Sequence, residues 1–416
     1  MSKNEWGLRQ TAATLFALVL SLIALDALQE LVPVLRHEAE LSQCRQVSRG
    51  DREVECIFKA VEEELRFHSV SSAMGLFSRA YQRSSSFLAV GCHRQAHRVG
   101  DLTYYEKYLA GAADLDAIDL PQSTTACGYG FYHGFIEHFI QDNPDPRFVT
   151  KTCEYLQERL GGVMADIRLT CYHGSGHGFM LAQSERVPKG LWGSVKAFTA
   201  YPVEQCEKLE KAKPDEIEQC REGIFNVLVD WMELGENGFS MDDRDVFRVC
   251  NSVPSMSHKA CYYEMAQKLD GLAKHDPRQI YALVARIPSE EMRELSFQVG
   301  VAGVIQNVIG ESDGYTKALE QCAGLPAQDY YKKCLLSIVH GLFEHGEPQR
   351  EYVKALDVCI LPSVKEKGLE EFCYQAIAVR LPRFYTDDYI HFICTEFPES
   401  YRHFCIERIG THEVNR

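Results

Sequence analysis

The cysteines limit what this chain can fold into more than any other feature. Sixteen occur in 416 residues, and most fall into consecutive pairs with short separations: Cys44/Cys56, Cys153/Cys171, Cys206/Cys220, Cys250/Cys261, Cys322/Cys334, Cys359/Cys373 and Cys394/Cys405. Cys92 and Cys127 remain, farther apart. No C-x2-C pair is present, which argues against four-cysteine zinc sites and covalent haem attachment. An even number of cysteines with this spacing predicts about seven or eight sequential disulfides in an oxidising compartment. Each closed loop of about 15 residues would contribute about 3 kcal/mol in the chain-entropy description.

Helix-start signals lie between the paired cysteines. Pro254, Pro326, Pro362 and Pro398 each fall inside such a loop, as does Pro214 followed by Asp215. Proline is tolerated at the first helical position because its missing N–H would be unpaired there anyway, and an acid beside it suits the positive end of the helix dipole. After the second cysteine comes an apolar stretch with helical spacing, as in CIFKAVEEEL, CREGIFNVLVDWM, CYYEMAQKL and CYQAIAVRL. RELSFQVGVAGVIQNVI matches this pattern if Ser296 stands where Cys220 does. Second cysteines then recur about every 40 residues, a period found in paired-helix repeats. Strand signals are weak, and Asn237-Gly238 is not flanked by alternating apolar residues. The expected fold is all-α: a disulfide-stapled α-solenoid of about eight or nine helix hairpins. In architecture such a chain resembles the cysteine-rich Sel1-like proteins of bacteria. Its cysteine spacing is longer and it lacks their glycine-tyrosine consensus, so no residue role is carried over.

Residues 1–10 carry Lys3 and Arg9, and TAATLFALVLSLIALDAL follows at 11–28, broken only by Asp26. The segment 11–30 reads as a signal anchor or a signal peptide. The most obvious cleavage frame, Ala24-Leu25-Asp26, puts an acid where a small residue is wanted, which favours an uncleaved anchor. The positive-inside rule then keeps residues 1–10 in the cytoplasm and sends 35–416 out, to the periplasm or the cell exterior. That region divides into a histidine-rich half, 88–200, and a histidine-poorer half, 201–416. A formal charge of −15 and a pI near 5.5 argue against nucleic-acid binding, which draws on clustered lysine and arginine. No glycine-rich phosphate loop, serine elbow or dinucleotide fingerprint is present.

HGFIEH at 133–138 returns as HGLFEH at 340–345, each six residues after a cysteine. Position six after the second cysteine is His133, His177 or His340 in three units, and Asn226 or Gln267 in two others. Position ten is acidic in Glu137, Asp230 and Glu344, one turn on, so His133 is expected to face Glu137 and His340 to face Glu344. Position seven is Gly134, Gly178 and Gly341, which predicts close approach of a neighbouring helix or a ligand.

His93 with His97, and His173 with His177, stand four residues apart and so share a helical face, as zinc-chelating histidines do. Equivalent helices of adjacent repeats pack about 8–10 Å apart. His93, His97, His133, Glu137, His173 and His177 are therefore expected to converge on a transition metal (Zn, Cu or Fe) or a haem, with His138 nearby. His340 and His345 would stand too far along an open array to join, unless it closes on itself. Tyr129, Phe131, Tyr132 and Tyr172 either line a pocket there or belong to the core. Two other classes of function compete: a scaffold binding a protein or peptide on a concave face, with structural histidines, and a metal-free enzyme using His133 as base with Glu137 as its orienter.

Overall fold

The computed structural model describes residues 32–46, 50–109, 120–161, 167–242, 244–311, 313–326, 328–347 and 349–409. Among these residues it is helical and contains no strand. The apolar run at 11–28 lies outside them, and among the described residues no helix is long and apolar enough to cross a membrane. The chain forms two compact units, Met1–Phe87 and Leu88–Arg416.

In the first unit, helix α1 (32–46) is tied to α2 (Asp51–Phe67) by Cys44–Cys56, and α2 packs on α3 (Val70–Arg83). Its apolar centre gathers Phe77, Tyr81 and Phe87, with ring centroids 4.9–5.6 Å apart. Two carboxylates are buried in this unit: Glu53 accepts from Ser84 Oγ at 2.8 Å, and Glu64 accepts hydrogen bonds from Arg36 Nη2 at 2.7 Å and Ser72 Oγ at 2.6 Å. These partners outweigh burial and hold the Glu64 carboxyl below its usual range.

The second unit contains α4 (Cys92–Thr103), α5 (Gly130–Asp142), α6 (Pro146–Leu160), α7 (Ile167–Ser184), α8 (Val195–Glu207), α9 (Pro214–Leu234) and α10 (His258–Gln267). They are followed by α11 (Pro277–Val284), α12 (Glu290–Val308), α13 (Gly314–Cys322), α14 (Gln328–His345), α15 (Glu351–Cys359), α16 (Glu370–Phe384) and α17 (Asp387–Glu396). Several helix starts follow the local signals. Pro214 opens α9, where the Lys213 N–H donates to Glu216 at 2.7 Å. Pro146 and Pro277 open α6 and α11 behind capping aspartates, Asp145 and Asp276. Pro254 instead precedes a 3-10 turn, with α10 starting four residues later.

All sixteen cysteines are paired, in the seven predicted short loops together with Cys92–Cys127. In this unit the short bridges join one helix to the next. Cys153 of α6 meets Cys171 of α7, and Cys206 of α8 meets Cys220 of α9. Such complete pairing indicates an oxidising, extracytoplasmic environment.

Seven of this unit's helices pack in sequence: α4 on α5, α5 on α7, α7 on α9, α9 on α10, α10 on α12, and α12 on α14. Helix α12 occupies its place without a disulfide, and Ser296, the expected stand-in for cysteine, is fully buried there. Glycine makes these contacts unusually close. A Cβ added at Gly134 would lie 2.2 Å from the His97 carbonyl oxygen, and one at Gly341 would lie 2.5 Å from that of Ala302. At Gly178 it would lie 2.6 Å from Ile140 Cβ. The three glycines in register thus admit a neighbouring helix, as their spacing predicted.

Two glycines that the repeat pattern did not single out lock α7 to α9. A Cβ at Gly223 would be 1.9 Å from the His173 carbonyl oxygen, and one at Gly176 would be 2.0 Å from that of Cys220. Gly223→Ala should therefore cost about 1–3 kcal/mol by overpacking, despite alanine's better helix propensity. Urea unfolding of the oxidised protein checks this, and an unchanged or higher midpoint would contradict the contact.

Candidate metal centre

Helix spacing sets the candidate residues out in pairs. His93 and His97 lie one turn apart on α4, His133 and Glu137 on α5, and His173 and His177 on α7. The close contacts of α5 with α4 and α7 then bring three polar faces together.

The hydrogen bonds determine which ring nitrogens carry protons. His93 Nδ1 is 2.9 Å from the Cys127 carbonyl oxygen. A carbonyl only accepts, so His93 Nδ1 holds the proton, and burial keeps the ring neutral with its pKa lowered to about 4. His93 Nε2 is then a bare acceptor, and His133 Nδ1 donates to it at 3.1 Å. His133 is also held neutral, chiefly by burial and then because a charged ring would be repelled by the neighbouring His173, which leaves its Nε2 with a free lone pair. His177 Nδ1 donates to Glu137 Oε2 at 2.9 Å, so the ring is held by its Nδ1 side. His173 Nε2 and His177 Nε2 are both buried and have no hydrogen-bond partner.

One ring nitrogen from each of His133, His173 and His177 lies within 4.8 Å of the other two. Their ring centroids are 4.5–5.6 Å apart. Two other groups with ligand-like spacing, His97/Glu137/His177 and Asp101/Glu137/His138, differ electronically. His97 lies 3.4 Å from Asp101 and 3.2 Å from Glu137. Those carboxylates overcome burial and raise its pKa well above the usual value, so His97 is an imidazolium with no lone pair to offer. His138, 3.5 Å from Asp101, is raised as well.

The six expected residues therefore meet, but in different roles. His133, His173 and His177 present nitrogens to a common point, while His93 and Glu137 orient two of them, and His97 is ion-paired. One expected pairing does not form as drawn, because Glu137 is engaged by His177 and His97, whereas His133 hydrogen-bonds to His93. The tyrosines and phenylalanines nearby are core, with Phe131, Tyr132 and Tyr172 fully buried and Tyr132 Oη 2.9 Å from Thr124 Oγ1.

The second histidine motif comes close to the first, the case foreseen for an array that closes on itself, because the chain of packed helices returns. Helix α14 packs against α4, and a Cβ at Gly128 would lie 2.5 Å from Glu344 Oε2. Tyr129 Oη donates to the Arg383 carbonyl oxygen across the same closure. His340 and Glu344 do pair, at 3.2 Å. Arg380 Nη2 donates to His340 Nδ1 at 2.7 Å, so the His340 Nε2–H donates to Glu344. Comparison with protein-family models, curated proteins and solved structures finds no match.

Sequence reading missed Asp101, Glu222 and Glu264. A signal for the last two was present: position two after the second cysteine carries His173 and Glu222, one turn before the polar position six. Glu264, one residue later in its own unit, accepts from Asn226 and Gln267, the position-six residues of two units, at 2.7 and 2.8 Å.

His340 supplies a pH test away from the trio. Its folded pKa is lowered to about 4, from 6.5, chiefly by burial and then by Arg380. The unfolded chain takes up this proton first, so His340 removes stability as pH falls from about 6.5 toward about 4. His340→Gln should flatten that part of the melting-temperature profile, measured on metal-free protein. An unchanged slope would contradict a neutral buried His340.

Proposed function

We propose that this chain is an extracytoplasmic metal-binding protein in which His133, His173 and His177 hold one transition-metal ion. The observation that carries this reading is the pair of buried, unpartnered nitrogens, His173 Nε2 and His177 Nε2, beside the freed Nε2 of His133. A buried polar atom without a partner costs about 1–3 kcal/mol. A purely structural polar ladder would pair such atoms with each other or with carbonyls. Here the network pairs the opposite nitrogens of His133 and His177 and turns the lone pairs inward.

The Glu137–His177 hydrogen bond is of the kind that fixes metal-bound histidines and raises their basicity. Imidazole donors suit Zn, Cu or Fe, and three protein ligands leave a position for water or substrate, as in catalytic zinc sites. Three closely packed rings facing one point favour a bare ion over haem, whose histidine ligands bind axially to a macrocycle. A metal-free base at His133 has less support, since Glu137 does not orient it. The finer architecture belongs to the same proposal: a helix-hairpin solenoid that turns back on itself, held to the membrane by residues 11–30.

The test is zinc affinity of the oxidised protein, measured by competition with a chromophoric chelator. Glu137→Gln should weaken binding about 10- to 100-fold, the range for partners that orient a metal ligand. His133→Ala, His173→Ala and His177→Ala should each weaken it further, with the circular dichroism and the disulfides unchanged. Undiminished affinity in all three histidine variants would defeat this reading.

A further inference from the structure

The geometry points to a second cation site, formed by His173, Glu222 and Glu264 and sharing His173 with the histidine trio. Ligand atoms of these three residues lie within 4.8 Å of one another. They come from three helices, α7, α9 and α10. All three side chains are more than nine-tenths buried, with residue exposures of 7%, 5% and 1%.

Two carboxylates brought together out of water cannot both remain charged without a counter-cation or a shared proton. Neighbouring side chains meet only part of this demand. Gln219 donates to Glu222, and Asn226 and Gln267 both donate to the same oxygen of Glu264, Oε2. Glu264 Oε1 remains buried with no partner, as does His173 Nε2. The atoms left over are a carboxylate oxygen and an imidazole nitrogen, both of them ligand types that a divalent ion takes. Such a mixed oxygen and nitrogen set suits a divalent ion such as Zn2+, Mn2+ or Fe2+.

The site is built into the backbone packing. Gly176 and Gly223 let α7 and α9 approach so closely that His173 and Glu222 become neighbours. Without metal, burial and then Glu218 push Glu222 up to about 7, and burial and then Glu222 push Glu264 well above its usual range. With both sites filled, His173 would have to bridge the two ions as an imidazolate, one ring nitrogen on each ion and its ring proton released to solvent.

This inference rests on the first-site reading only through His173, and zinc stoichiometry separates the two. After dialysis of the full oxidised chain, two zinc ions per chain are expected, falling to one in Glu222→Gln/Glu264→Gln and to one in His133→Ala/His177→Ala. A single ion kept in the glutamine variant would overturn the second site and leave the trio standing. A single ion lost in both double variants would mean one shared site and would also overturn it. A single ion lost only in the glutamine variant would support the carboxylate site and defeat the trio. Infrared difference spectra of the unaltered protein give a check that does not depend on variant folding. The carboxylate stretching bands should shift as the second equivalent of zinc binds, and bands that stay unchanged would overturn the site.

Discussion

Backbone-to-backbone contact between α4, α5, α7 and α9 is the constraint on which the rest of the second unit depends. Where Gly134, Gly178, Gly176 and Gly223 stand, a single added methyl group would collide with a neighbouring carbonyl, a backbone amide or Ile140. The short distances that result place a one-turn pattern of polar side chains from successive helices within reach of one another. A wider spacing would leave the same histidines as separate, solvated or core residues. The disulfides tie neighbouring helices along the chain, Cys153 to Cys171 and Cys206 to Cys220. Such cross-links constrain the unfolded chain, so the interior can hold polar groups that contribute little to stability on their own.

Charge is graded along this interior. At one end, the imidazolium of His97 lies between Asp101 and Glu137. Beside it stand neutral His93, His133 and His173, kept so by burial. Farther on come the carboxyls of Glu222 and Glu264, pushed toward the protonated form. From the returning helices, Glu344 faces His340 and Arg383, and its carboxyl is held well below the usual range by Arg383 and His340 despite burial. The groups with unused lone pairs sit between the ion-paired ones. That arrangement distinguishes the proposed metal centre from an extended salt-bridge network, in which each charge meets an opposite charge.

Much of this was legible in the sequence. Cysteine spacing predicted the bridges, and the repeat let Ser296 be placed where a cysteine is missing. The in-register glycines foretold close helix approach, and four-residue spacing identified His173 and His177 as a pair on one face. Other features needed the fold. The partner of a histidine depends on which adjacent helix lies nearest, so Glu137 was assigned to His133 on its own helix while the structure gives it to His177 and His97. Closure of the chain is the sum of many small angles between helices, and no local motif encodes it. Glu222 and Glu264 looked like ordinary helical acids, and only their burial against His173 makes them chemically distinctive.

X-ray absorption at the zinc edge, on the full oxidised chain with one equivalent of zinc, tests the central claim most directly. The account predicts a shell at about 2.0–2.1 Å that includes three imidazole nitrogens, identified by multiple scattering from the rings. A sulfur shell near about 2.3 Å, or oxygen ligands with no imidazole scattering, would contradict it.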